Sequence, residues 1–159
     1  MGNQQKVNFN VPMIGQANAS ICWLACYQML YGYKKRSTSE PFSRASNAGL
    51  STTSALYSEQ WGTARDAMGL YSYRVSHLKE SFANLTYILQ KFGPMWCAGN
   101  FLFGSGHAIV ITGFDPNSQL LRINDPYEIY KYYSYNYLTY DQWRSLVKEL
   151  PFACQVWSS

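Results

Sequence analysis

The chain has 159 residues, of which 14% are charged and 17% aromatic, and a formal net charge of +4. Average globular proteins carry roughly 25% charged residues, so this is a charge-poor, aromatic-rich chain, long enough to bury its own core as one domain. Disorder needs the opposite composition, and no apolar run reaches the roughly 18 residues of a membrane span. The basic residues, Lys34-Lys35-Arg36 apart, are too scattered for a nucleic-acid footprint.

We expect a single domain over 1–159 with its core at about 11–157. Residues 1–20 lack periodicity, with Val11-Pro12-Met13 a short extended piece. Ser20 reads as the N-cap of a helix over 21–30, and Gly32 as its end. Residues 36–53 read as loop or short helical turns. Leu56, Trp61, Ala64, Ala67 and Met68 recur near helical spacing, predicting a helix over 54–68 that stops at Gly69. Tyr71 to Ser76 reads as a strand, and Ser81 to Phe92 as a helix stopped by Gly93-Pro94.

Beyond Pro94 the period changes. Met95–Phe103, His107–Phe114, Gln119–Asn124 and Tyr127–Tyr135 are β-type runs, with Asp115-Pro116-Asn117-Ser118 a hairpin-like turn. Thr139-x-x-Gln142 is a capping-box pattern ahead of a helix over 140–149. Pro151 ends that helix, and Phe152 to Trp157 closes the chain as a strand. Helices first and a mostly antiparallel sheet second make an α+β fold.

The chemistry-bearing residues are few. The four cysteines are Cys22, Cys26, Cys97 and Cys154, and the two histidines His77 and His107. The cysteine spacing supports neither zinc nor a disulfide framework, and neither a metal nor a cofactor is expected. Cys97 and Cys154 lie in apolar runs and read as buried hydrophobes. Cys22 falls in the first turn of its helix, where free N–H groups and the helix dipole favour a thiolate. Cys26 lies one turn deeper. His107 follows Gly104-Ser105-Gly106 and opens the strand Ala108-Ile109-Val110-Ile111, whereas His77 reads as a surface residue. Asp125 ends the next strand and is held extended by Pro126. Neighbouring ends of paired strands would let Asp125 orient the His107 imidazole. Gln16, in the loop before the helix, carries an amide suited to donate to an oxyanion beside the Cys22 N–H.

Gln16-x5-Cys22-Trp23, then Gly106-His107-Ala108, then Asn124-Asp125-Pro126, resembles a papain-like cysteine peptidase. The resemblance is to the small bacterial branch, which holds double-glycine bacteriocin-processing peptidases and papain-like effector proteases. It runs from about Val11 to Phe152. The plant-papain motif has a cysteine where this chain has Ala19, and the Cys22-to-His107 spacing is shorter than the roughly 130–150 residues of papain itself.

The resemblance implies a papain-like fold, with the nucleophile at a helix N-terminus packed on an antiparallel sheet that carries His and Asp. It implies Cys22 as nucleophile, His107 as acid and base, Asp125 as its orienting group and Gln16 in the oxyanion hole. Trp23 and Gly106 would border the substrate. The implied substrate is a protein or peptide, cut after small residues such as Gly-Gly. A free-standing domain of this branch resembles toxin or effector modules of secreted bacterial proteins, which act in the cytoplasm of a target cell and are held in check by a cognate immunity protein. The same triad also serves deamidases, amidases, transglutaminases and acyltransferases, and the fold can persist as an inactive binding domain. The tyrosines Tyr127, Tyr130, Tyr132, Tyr133, Tyr135 and Tyr137 read either as a twisted hairpin with aromatic cross-strand pairs or as a partner-binding surface.

Overall fold

A computed structural model describes residues 5–102, 105–127 and 136–158. The elements in chain order are β1 (Val7–Asn8), α1 (Cys22–Tyr33), α2 (Glu40–Asn47), a 3-10 turn (Ser58–Gln60) and α3 (Trp61–Met68). There follow β2 (Tyr71–Ser72), α4 (Val75–Leu78), α5 (Phe82–Phe92), β3 (Met95–Leu102), β4 (Ser105–Asp115), β5 (Leu120–Asn124), β6 (Tyr137–Thr139), α6 (Tyr140–Leu146) and β7 (Cys154–Val156). The strands form one antiparallel sheet in the order β2-β7-β3-β4-β5-β6, with β1 added against β4. The expected α+β layout is what the chain adopts.

Helix α1 is the centre of the molecule. Every residue from Trp23 to Tyr31 except Gln28 is buried. A helix apolar nearly all round must be covered nearly all round, and its polar groups must find partners inside. They do. The Tyr27 hydroxyl donates to Gln155 Oε1 at 2.8 Å and the Tyr31 hydroxyl to the Met68 carbonyl at 2.7 Å. Trp157 Nε1 donates to the Leu30 carbonyl at 3.1 Å. Each such bond is worth about 1 kcal/mol net, and more is lost if one partner alone is removed. Tyr27 also stacks on Trp96 at 5.1 Å between ring centres, and Trp61 meets Trp96 edge-on, so aromatic rings join α1 and α3 to β3.

Strand β3 is buried without alternation from Met95 to Gly99, so it is covered on both faces. Strand β1 takes over its side of β4 where β3 ends: Met95 pairs with Ile111, and Val7 and Asn8 pair with Phe114 and Gly113. Gly113 permits that approach, because a Cβ there would lie 2.1 Å from the Val7 carbonyl oxygen.

Several local expectations hold. Gly69 closes α3 in the left-handed conformation at φ 74°. The helix read over Ser81 to Phe92 forms as α5, with Ser81 not in it but capping it, its hydroxyl accepting from the Asn84 N–H. Thr139 and Gln142 form the reciprocal capping box of α6. Others are corrected. The N-cap of α1 is Ile21, because Asn18 Oδ1 accepts the Ser20 N–H at 2.8 Å and turns the chain one residue later. The helix runs through Gly32, whose missing Cβ makes room for Pro12; a Cβ there would sit 2.5 Å from the Pro12 ring. Helicity over 54–57 is absent, and the segment from Tyr71 holds a two-residue strand and then the α4 turn. The run over Tyr127–Tyr135 lies outside the described residues beyond Tyr127.

Replacing Gly113 with alanine is expected to cost about 1–3 kcal/mol of stability by forcing β1 off β4. Gly106→Ala, where a Cβ would meet nothing within 4 Å, is expected to change stability by less than about 0.5 kcal/mol. Urea unfolding midpoints of the two variants check this contrast.

Candidate active site

Cys22 is the first residue of α1 and is partly exposed, while Cys26, Cys97 and Cys154 are buried. The first N–H groups of a helix have no carbonyl one turn back. Here Leu24 and Ala25 bond back to the Ile21 carbonyl, which leaves the N–H groups of Cys22 and Trp23 ahead of the ladder, and no side chain caps the helix. The Cys22 sulfur therefore sits in the positive end of a buried helix dipole. Cys26 is different. Burial, and the nearby Cys22 and Asp125, hold its thiol well above the usual range.

Sheet register delivers the other two groups. Val110 pairs with Asn124, so one rung further Asp125 lies beside Ile109. His107 is two residues from Ile109 and shares its face of the sheet. His107 Nε2 and Asp125 Oδ1 meet at 2.6 Å, and both residues are only 6% exposed. The same carboxylate oxygen accepts the Tyr127 N–H at 2.9 Å, in the turn that Pro126 makes. With Nε2 committed to Asp125, Nδ1 is the nitrogen left for Cys22, whose sulfur lies near enough to raise the imidazole pKa. Burial disfavours the imidazolium, but the bond to Asp125, the nearby Cys22 sulfur and their charges prevail, and the pKa of His107 rises to about 9. The Tyr127 ring stands edge-on to the imidazole, with centres 6.2 Å apart.

Cys22 and His107 open onto a cleft of about 310 Å³. Trp23 and Gly106 line it, and the Trp23 indole is pinned by its N–H to the Ser54 carbonyl at 3.0 Å. Gln16 lies elsewhere: it lines the adjoining cavity with Pro126 and Tyr127, and Ala19 borders both spaces. Its Nε2 donates to the Asn18 carbonyl at 2.8 Å, which occupies one of two amide hydrogens, and its backbone N–H bonds the Pro126 carbonyl. His77 is half-exposed beside Glu80, remote in sequence and contact from this cleft.

Sequence reasoning missed most of the cleft wall. Leu56, Tyr57, Trp61, Trp96 and Lys148 come from four separate segments, and no local pattern links them. Tyr127 had a signal: it directly follows an Asp-Pro pair, a turn that folds its N–H back onto the carboxylate.

Three comparisons bear on this geometry. The model of the Peptidase_C70 family, described as papain-like cysteine protease AvrRpt2, matches residues 3–141. Among solved structures, a double glycine motif protease from an AMS/PCAT transporter, crystallised with the leader peptide, is 21% identical. Its TM-score is 0.54 over 96% of this chain and 97% of that one, which shows a shared fold. No curated protein matches the chain. Among the described residues no helix is long and apolar enough to cross a membrane. The resemblance read from Cys22, His107 and Asp125 thus meets a family match across most of the length, and the chain belongs to the papain-like cysteine protease AvrRpt2 family and is a cysteine peptidase.

Proposed function

We propose that Cys22, His107 and Asp125 are the catalytic triad of this peptidase and that Gln16 assists them at the oxyanion. The observation that carries this reading is the buried 2.6 Å bond between His107 and Asp125, with His107 and Cys22 lining one cleft.

The steps follow from the geometry. His107 holds the Cys22 thiolate as an ion pair. The sulfur attacks the scissile carbonyl carbon, and the carbonyl π electrons become an oxyanion facing the Cys22 N–H at the start of α1. The free amide hydrogen of Gln16 supplies a second donor when its side chain swings from its own cavity into the site; one such donor contributes about 3 kcal/mol. His107 gives its proton to the leaving amine as the C–N bond breaks. The resulting thioester is cut by water, whose proton passes to His107 and whose oxygen joins the acyl carbon, regenerating the thiol pair. Asp125 keeps the ring turned with Nδ1 toward sulfur throughout.

The preference for small residues such as Gly-Gly before the cut rests on the sequence resemblance and on the shared fold with a protein described as a double glycine motif protease. Exposed Gly106 beside His107 is consistent with close backbone approach by substrate. The role as a delivered toxin or effector that acts in a target cell's cytoplasm, checked by an immunity protein, rests on the sequence resemblance alone.

These assignments are tested by substitution, labelling, pH dependence and terminal proteomics. Cys22→Ala is expected to abolish peptide cleavage, and iodoacetamide is expected to label Cys22 while the buried Cys26, Cys97 and Cys154 stay unmodified in native protein; mass mapping of the adducts reads this, and first labelling of Cys26 would move the nucleophile. The alkaline limb of the pH–rate profile is expected near pH 9, because the leaving group needs the His107 proton. Asp125→Asn removes the charge that raises His107 and is expected to move that limb to lower pH. The sign for stability agrees: a folded pKa of about 9 against about 6.5 unfolded gives stabilisation that is full below pH 6.5 and lost as pH rises through 9. In cells expressing wild type against Cys22→Ala, terminal proteomics is expected to show new N-termini preceded by small residues; a +1 Da shift on glutamine without new termini would mean deamidation instead.

A further inference from the structure

The cleft wall beside the catalytic pair contains one full positive charge that the proposed mechanism does not use. Lys148 lines the same cavity as Cys22 and His107. Its backbone is firmly placed. Val147 has extended torsions and bridges Gly99, and the Lys148 N–H donates to the Ala98 carbonyl at 3.1 Å. Gly99 in turn pairs with His107 on its other side. Two strand spacings therefore separate the Val147 backbone from that of His107, about 10 Å, and Lys148, the next residue, stands exposed at the edge of the cleft it lines. Gly99 makes this approach possible, since a Cβ there would lie 2.5 Å from the Leu146 carbonyl oxygen and 2.8 Å from Val147 Cα.

The charge is uncompensated. Extended backbone turns successive side chains to opposite sides, and Glu149 lines a different cavity and pairs with Lys79 at 3.4 Å. Among the described residues Lys148 has neither an ion-pair nor a side-chain hydrogen-bond partner, and no carboxylate lines its cleft. The remaining wall is apolar: Leu56, Tyr57, Trp61, Trp96 and Ala98. Lys148 is exposed at the edge of these walls, so a charge pair formed with it is partly screened by solvent and modest in strength. We infer that Lys148 is a specificity-determining residue, and that the cleft selects substrates with an acidic side chain at the position that enters it. The inference rests on the peptidase reading of this cleft.

The test is a synthetic peptide library of mixed sequence, digested by wild type, Lys148→Ala, Lys148→Arg and Lys148→Glu, with Cys22→Ala run alongside. At one position near the cut, wild type is expected to prefer Glu over Gln by about threefold to tenfold in kcat/KM, chiefly through KM. The ratio is expected to fall to about one in Lys148→Ala, to persist in Lys148→Arg and to invert toward Lys and Arg substrates in Lys148→Glu. It is also expected to shrink toward about 1 M salt, where the screening length is about 3 Å. Cleavage that needs Cys22 but turns over Glu and Gln peptides alike overturns the Lys148 inference and leaves the peptidase reading standing. Cleavage undiminished in Cys22→Ala overturns both.

Discussion

A carboxylate and an imidazole, each 6% exposed, share a 2.6 Å hydrogen bond in this protein. Burying such a pair costs several kcal/mol per ion unless geometry and further bonds offset it. The structure around the pair is arranged to do that. The β4–β5 register brings the two residues to one face, Pro126 turns the chain so that the Tyr127 N–H reaches the same carboxylate oxygen, and the Tyr127 ring stands against the imidazole. The nearby Cys22 sulfur favours the imidazolium, while the second carboxylate oxygen of Asp125 is buried without a hydrogen-bond partner. Each contact that offsets the burial also orients the ring, so stability and catalytic geometry depend on the same bonds.

Helix α1 ties that pair to the rest of the molecule. It is buried along its length and anchored by Tyr27, Tyr31 and the Trp157 indole, yet its first residue faces a cleft. A helix that is locked at its middle and end cannot shift its N-terminus. The dipole end, and with it Cys22, is therefore presented to His107 by packing some distance away. The two cysteines of this helix show how sharply burial divides chemistry: one turn separates a partly exposed thiol beside an imidazolium from a thiol whose ionisation burial suppresses.

Glycine serves close approach here more than flexibility. Gly32 admits Pro12 against α1, Gly113 admits β1 against β4, and Gly99 admits the 146–148 segment against β3. The last of these sets one wall of the cleft. In each case the partner is distant in sequence, so the need for glycine is invisible until the chain is folded. The reading of Gly32 as a helix stop was wrong for that reason.

Local chemistry was legible from the residues alone. The cap at Thr139, the stop at Gly69 and the antiparallel second half follow from short-range pattern, because turns and caps act over a few residues, whereas the choice of Cys22, His107 and Asp125 needed the resemblance as well. What tertiary structure decided is which side chains meet. The buried bond between His107 and Asp125 depends on strand register, and the cleft of Leu56, Tyr57, Trp61, Trp96 and Lys148 is assembled from segments whose only link is packing. The place of Gln16 in a neighbouring cavity depends on a loop held by Pro126. Sequence by itself determined the candidate groups, since a thiol at a helix start and an imidazole at a strand end are properties of residue type and immediate backbone. Structure decided their distances and the walls around them, since those are set by contacts between residues far apart in the chain.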